Sequence, residues 1–399
     1  MATKQKLNEY LPVAVAGLLV LVVVAALVVL LVRANSQDLS VSPQKQQPAS
    51  EKPQVASNAA VTIAAMGDMI PHDTITMSAK TDAGYDYAQY FKNIRSIYAS
   101  SDVVFCNQES TSAGDAFGIS GYPTFGAPAE LATGLQSAGC NVVSLANNHM
   151  ADKGQGAIDA TVAQWEQLKP LAYAGANRSA DEQKKVRYFE KNGIKFAFLA
   201  FADFSNNKEV SSHGLNLYKD EELVKSLAQE ARKNADVVLA SMHWGDEDSH
   251  DVNADQQAQV AKLAEYGVDI VIGTGPHVLQ KTEYVDRADG GKMLVWYSIG
   301  NMLSSQLELN QLTGGVAQMT VRKDGDKVVV EKPAFVPTFM SYEWTAEQQA
   351  AGDIAARKNP MIHPLASAAD ALKAMRITNT PAELKQTIQQ ILGTEVEVQ

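Results

Sequence analysis

The chain has 399 residues, with 34 Lys and Arg against 45 Asp and Glu, a formal charge of -11. The first 36 residues carry a net +2 and leave -13 on the rest, which argues against DNA or RNA as the main partner. An anionic substrate stays compatible with that charge, because a bound metal ion reverses the field locally.

Residues 1–10 are short and polar and read as a cytoplasmic N-terminus. Residues 11–32 are 22 consecutive apolar, glycine or proline residues without a charge. At about 1.5 Å rise per residue such a run crosses a hydrocarbon core of roughly 30 Å. A cleaved signal would have a shorter apolar part ending near a small-x-small site. The run therefore reads as a retained transmembrane helix. Lys4 and Lys6 precede it and only Arg33 follows closely, which favours the N-terminus inside and the C-terminal domain outside the cell membrane. Residues 33–59, rich in Ser, Gln, Pro and Ala, form no core and read as a flexible extracellular tether.

The chain becomes globular at about residue 60. Short apolar runs at 61–66, 102–106, 141–146, 171–174, 194–201, 236–242, 268–272 and 293–299 read as strands. Helical patterns occupy 85–100, 128–138, 155–168, 220–234 and 254–266. Strands that are apolar throughout predict burial on both faces, normally beneath helices. Segments 316–323 and 326–333 flank Lys323-Asp324-Gly325-Asp326 and read as an antiparallel hairpin. The expectation is an α/β layered domain over 60–345, with mixed sheets flanked by helices, followed by a helical extension over 346–399. Cys106 and Cys140 read as two buried thiols, since a domain of this size needs no staple; an extracellular disulfide is the alternative.

Ligands of βα domains gather at the carboxyl ends of strands. Here those ends carry Gly67-Asp68, Asn107-Gln108-Glu109, Asn147-Asn148-His149 with Asp152 close behind, His243-Trp244-Gly245-Asp246-Glu247, Gly273-Thr274-Gly275-Pro276-His277 and Gly300-Asn301. Three of the chain's seven histidines, His149, His243 and His277, fall within five residues after an apolar strand. Carboxylates and imidazoles converging from several strands form the ligand set for one or two divalent ions. Asp68, Glu109, Asn148, His243 and His277 are the candidate metal ligands. Asp68 could instead cap a turn, Asn148 could be a turn residue, and the histidines could be satisfied strand-end side chains. Asp152 three residues after His149 is placed to fix its tautomer, making His149 the candidate acid that protonates a leaving group. Glu247 and Asn301 are candidates to line the substrate pocket, although Glu247 lies in a generic acidic loop. His72 stands close behind Asp68, while His213, His250 and His363 carry no such pattern.

Taken in order, Gly67-Asp68-Met69, Asn107-Gln108-Glu109, Ser144-Leu145-Ala146-Asn147-Asn148-His149, Asp152-Lys153-Gly154, His243-Trp244-Gly245, Pro276-His277-Val278-Leu279-Gln280 and Tyr297-Ser298-Ile299-Gly300-Asn301 resemble the bacterial capsule-synthesis CapA family, the poly-gamma-glutamate synthesis proteins. The matching pieces span about 60–345. The resemblance implies a branch of the calcineurin-like metallophosphatase fold, with manganese, zinc or iron held by Asp68, Glu109, Asn148, His243 and His277. It implies membrane-bound synthase or export subunits as partners and an anionic surface polymer as the object acted on. The implied activity is metal-dependent hydrolysis of phosphoester or polymer amide bonds. A non-catalytic scaffold or polymer-binding subunit is the alternative. One position departs: the family's His-Pro-His is Gly275-Pro276-His277 here, so one imidazole is missing.

Overall fold

The computed structural model describes residues 59–325 and 327–399. The expected anchor and almost all of the tether lie outside the described residues. Among the described residues no helix is long and apolar enough to cross a membrane.

The strands are β1 (Ala59–Met69), β2 (Lys80–Thr81), β3 (Gly84–Tyr85), β4 (Val103–Gln108), β5 (Val142–Ser144), β6 (Ala172–Ala174), β7 (Arg187–Lys191), β8 (Ile194–Ala202), β9 (Val237–His243), β10 (Ile270–Thr274), β11 (Thr282–Asp286), β12 (Lys292–Trp296), β13 (Asn301–Leu303), β14 (Thr313–Asp324), β15 (Lys327–Glu343), β16 (Lys358–Pro364) and β17 (Glu397–Val398). A nine-stranded sheet runs β16-β15-β14-β1-β4-β5-β6, with β13 beside β1 and β17 beside β15. A six-stranded sheet runs β11-β12-β10-β9-β8-β7. Both are mixed: β1-β4-β5-β6 and β8-β9-β10-β12 are parallel, and antiparallel strands adjoin each set.

The two faces of the six-stranded sheet separate by the period of two that a strand imposes. Phe196, Phe198 and Ala200 of β8 join the core shared with the nine-stranded sheet. Ala197, Leu199 and Phe201 join a second core beneath helices Glu221–Asn234 and Ala254–Glu265. Phe105 of β4 meets Phe198 edge to face, ring centroids 6.1 Å apart. Thus the all-apolar strands are buried on both faces as expected, but the cover on one face is the other sheet. The helices Glu130–Ala138 and Gln155–Leu168 carry buried Leu131, Leu135, Ile158, Val162 and Trp165 at helical spacing. Helix Ala254–Glu265 opens with a capping box between Asn253 and Gln256, a device worth about 0.5–2 kcal/mol.

Three expectations are corrected. The helix expected over 85–100 is a short 3-10 turn, Ala88–Phe91, and one helical turn, Arg95–Tyr98. Its aromatic residues reach out instead of continuing the helix: the Tyr90 hydroxyl donates to Ile75 O at 2.7 Å and the Tyr98 hydroxyl to Ala138 O at 2.8 Å. Cys106 and Cys140 are not free thiols but form a disulfide, because pairing of β4 with β5 brings their Cα atoms to 5.8 Å. The tail contains helix Pro381–Leu392 but also β16 and β17, which hydrogen-bond to β15 and belong to the nine-stranded sheet.

Candidate metal centre

The carboxyl ends of β1, β4, β9 and β10 come together. Asp68 lies within β1, opposite Asn107 of β4 and Asn301 of β13. It is fully buried. Asn107 Nδ2 donates to Asp68 Oδ1 at 2.8 Å, and the Gly275 backbone N–H donates to Oδ2 at 3.1 Å. His277 Nδ1 also stands 3.1 Å from Asp68 Oδ2, and 3.1 Å from Asn301 Oδ1. His277 holds a φ of 61°, a backbone region that a side chain of this size rarely adopts.

Glu109 follows β4 and is also fully buried. Among the described residues neither of its carboxylate oxygens has a hydrogen-bond partner. Its Oε1 lies 3.5 Å from His243 Nε2 and 3.8 Å from His277 Nε2. Two ligands bound at about 2.1 Å in a tetrahedral shell stand roughly 3.4 Å apart, so this spacing suits one shared ion. Asp68, Glu109 and His277 each offer a ligand atom within 4.8 Å of the others. This buried cluster has a geometry that one or two divalent metal ions can occupy. A buried carboxylate whose oxygens accept no hydrogen bond is costly unless something cationic meets it, and a divalent ion suits that orphaned pair of oxygens.

The electrostatics follow from burial and proximity. Burial drives the Glu109 pKa well up and the neighbouring Asp68 charge adds to it. Burial acts on Asp68 too, but the hydrogen bond and charge of His277, with His243 and Asn107, hold its pKa below the usual carboxylate range. Burial opposes the charged form of His277, yet Glu109 and Asp68 raise its pKa to about 10. His243 is lowered to about 4, chiefly by burial. Its Nδ1 pairs with Thr274 Oγ1 and its Nε2 with Asn148 Oδ1, each at 3.0 Å.

His149 and Asp152 stand beside this cluster. His149 Nδ1 is 2.7 Å from Asp152 Oδ2, which also accepts the Phe125 backbone N–H at 2.7 Å. The Phe125 ring packs edge-on to His149 and to His72, with centroids at 4.5 and 5.1 Å. Burial lowers the His72 pKa to about 4. Glu247 is exposed and lines, with Asn148, His243 and Gly275, a cleft of about 250 Å³. Asn301 is buried, its amide donating to Gln306 Oε1 and Gln311 O at 2.7 and 3.0 Å. The remaining histidines lie elsewhere: His250 Nδ1 contacts Leu279 O, and His363 Nε2 contacts Ser341 Oγ.

Residue types alone did not single out Asn107, Thr274 or Asn206. Asn107 and Thr274 sit inside the flagged strand ends, and their role is to hold Asp68 and His243. Asn206 gave no signal, because the end of β8 carries no imidazole; its Nδ2 lies 3.2 Å from His149 Nδ1.

Residues 62–306 match the family described as "Bacterial capsule synthesis protein PGA_cap", a span that contains every candidate residue above. Among curated proteins the chain is similar to the PGA biosynthesis protein CapA of Bacillus subtilis (strain 168), with 31% identity over 196 residues, 48% of this chain and 50% of that protein. It is also similar to the capsule biosynthesis protein CapA of Bacillus anthracis, with 28% identity over 209 residues, 50% of this chain and 49% of that protein. The chain spans about half the length of the curated relatives it matches. The solved 5'-nucleotidase from Candida albicans SC5314 aligns over 69% of this chain and 51% of its own at 12% identity, with a TM-score of 0.40, too distant to bear on this chain.

Proposed function

The chain belongs to the bacterial capsule synthesis family, and from that premise we propose that it is a membrane-anchored, metal-dependent hydrolase of the phosphoesterase type that works on an anionic surface polymer during its synthesis or export. The observation that carries this reading is Glu109. A fully buried carboxylate, unpartnered among the described residues and facing two imidazoles and Asp68, is a group that a cation completes.

Asp68, Glu109, His243 and His277 would hold the metal, with Asn148 as a neutral oxygen ligand. Bound there, a divalent ion supplies Lewis acidity and a nucleophilic water at neutral pH. The chain's own residues do the rest. With the Nδ1 proton donated to Thr274 Oγ1, His243 would present its Nε2 lone pair to an ion beside Glu109. Asp152 orients His149 through Nδ1, and in the imidazolium form the second proton, at Nε2, would pass to a leaving group. Glu247 and Asn301 would line the substrate side.

The Cys106–Cys140 disulfide supports a domain outside the cytoplasm, where thiols are not kept reduced. The residues 11–32 would anchor it in the cell membrane as a single span, beside synthase or export subunits. The Gly275 departure favours a second reading, a polymer-binding scaffold that keeps the fold without fast turnover.

The test is metal content of the full chain in detergent, purified without chelator, beside Asp68→Ala and His243→Ala. One or two equivalents, lost in both variants, support the reading and justify a screen of phosphodiesters and polymer amides. A folded chain that retains no manganese, zinc or iron when supplied with them overturns it.

A further inference from the structure

We propose that the Cys106–Cys140 disulfide is a positioning element of the metal centre, so that the site reaches its full affinity for an ion only once the bond has formed; this rests on the metal-dependent reading above. The bond joins Cys106 of β4 to Cys140 just ahead of β5, with Cα atoms 5.8 Å apart and both side chains buried. Cys106 immediately precedes Asn107, whose amide donates to Asp68 Oδ1 at 2.8 Å, and it shares its strand with the approach to Glu109. The loop that the bond closes also carries Phe125, which packs on His149 and donates its backbone N–H to Asp152.

The bond lies where the ladder is thin. β5 is three residues long, and its register with β4 pairs Phe105 with Val142, Cys106 with Val143 and Asn107 with Ser144. On the other side of β4 the ladder with β1 shifts register between Met66 and Asp68, at the ligand itself. Glu109 depends on this strand most. Its backbone N–H donates to Met69 O at 3.1 Å, but among the described residues neither carboxylate oxygen accepts a hydrogen bond. No hydrogen bond steers the carboxylate, so its place beside His243 and His277 follows from the path of the β4 backbone.

The end of β5 supplies the opposite side of the centre. Asn147 Nδ2 donates to Gln108 O at 2.8 Å, and Asn148 Oδ1 stands 3.0 Å from His243 Nε2. A covalent link between β4 and the start of β5 holds these two strand ends at one spacing. Ligands held in place need no ordering when an ion arrives, whereas a loose support weakens binding. Forming the bond takes two protons and two electrons from the thiols, and a disulfide-bearing oxidant accepts them and leaves as two thiols. Such oxidants prevail outside the cytoplasm. The centre is therefore weak in a reducing compartment and tight in an oxidising one.

The experiment uses the full chain in detergent and whichever of manganese, iron(II) or zinc the wild type retains. Affinity is read by competition with a chromophoric chelator. Cys106→Ser with Cys140→Ser should bind the ion about ten- to hundred-fold more weakly, the usual loss when a group that supports a ligand is removed. Ile388→Ala, a cavity in the tail helix Pro381–Leu392, lowers stability away from β4 and β5 and should stay within about three-fold of the wild type. The second measurement needs no variant. Because linkage is reciprocal, a saturating ion should lower the reduced-to-oxidised ratio of the wild type in glutathione buffers by the same factor. Thiol alkylation reads that ratio without ambiguity, since the chain has two cysteines. Equal affinity in the wild type and the double variant, equal loss in Ile388→Ala, or a ratio that the ion leaves unchanged overturns the positioning role while the metal reading stands. If the double variant does not fold, the ratio alone decides. A wild type that retains none of the three ions overturns both.

Discussion

The backbone N–H of Gly275 donates to Asp68 Oδ2 at 3.1 Å, so this position serves the central carboxylate through its main chain. Gly275 sits at φ 109°, and a Cβ there would lie 2.8 Å from Trp244 O. A side chain at this point would thus need both a strained backbone and a shift of the Trp244 main chain.

An imidazole placed at this position should therefore not be accommodated. Gly275→His is expected to cost about 1–3 kcal/mol of stability through backbone strain and to add no metal equivalent. Thermal unfolding and elemental analysis of the variant check this. A variant with unchanged melting temperature and one more bound ion would show that the loop tolerates the imidazole.

Metal uptake should release protons. His277, raised to about 10, is protonated at neutral pH in the metal-free chain and must lose that proton to ligate. Glu109, raised well above its ordinary value by burial and by Asp68, likewise sheds its proton more readily once an ion is bound. Asp68, held low, contributes none. Affinity should thus rise with pH across the neutral range and continue to rise toward about 10. Calorimetry in two buffers of different ionisation enthalpy at pH 7 should return at least one proton released per ion, whereas zero would contradict the assignment of His277.

Glu109→Gln should separate stability from metal binding. It replaces a buried carboxylate by a neutral isostere, so relief of desolvation offsets the lost attraction to protonated His277 and the metal-free melting temperature should change little. The increase in melting temperature on adding metal, which reports binding to the folded state, should disappear. A fall of the metal-free value would mean that Glu109 has a stabilising partner other than an ion.

His149→Asn should reduce turnover roughly 10²–10⁴-fold, the usual contribution of a positioned acid, while metal content stays at the wild-type level. Asp152→Asn should lower turnover in the same direction, since Asp152 Oδ2 both orients His149 and anchors the Phe125 backbone. Loss of metal in His149→Asn would move His149 from acid to ligand.

The disulfide should contribute about 4 kcal/mol by loop closure across a sequence separation of 34 residues. Urea unfolding of Cys106→Ser with Cys140→Ser tests that figure. A midpoint unchanged from the oxidised wild type would contradict it.

Much of the centre was legible in one dimension. Asp68, Glu109 and His277, which the structure brings into one cluster, stood out because apolar runs ended in metal-ligand residue types, and parallel strands place such ends on one edge; Asn148 and His243 are candidates on the same pattern. The hairpin of β14 and β15 was legible from its turn residues, although both strands run longer than the apolar pattern. The helix over 85–100 was misread because Tyr90 and Tyr98 fit a helical period while their hydroxyls bond to distant carbonyls. The disulfide was misread because nothing local in Cys106 or Cys140 reports their separation.

The sequence alone determined which strand ends carry the candidate ligands, their order and the family to which they belong, because strand periodicity and ligand chemistry are local properties of residue type. Only the tertiary structure decided that one sheet covers the other, that the cysteines join, that Gly275 serves Asp68 through its backbone, and that Asn206 reaches His149. Those relations depend on register between strands far apart in sequence and on how two sheets pack, and no single segment encodes either.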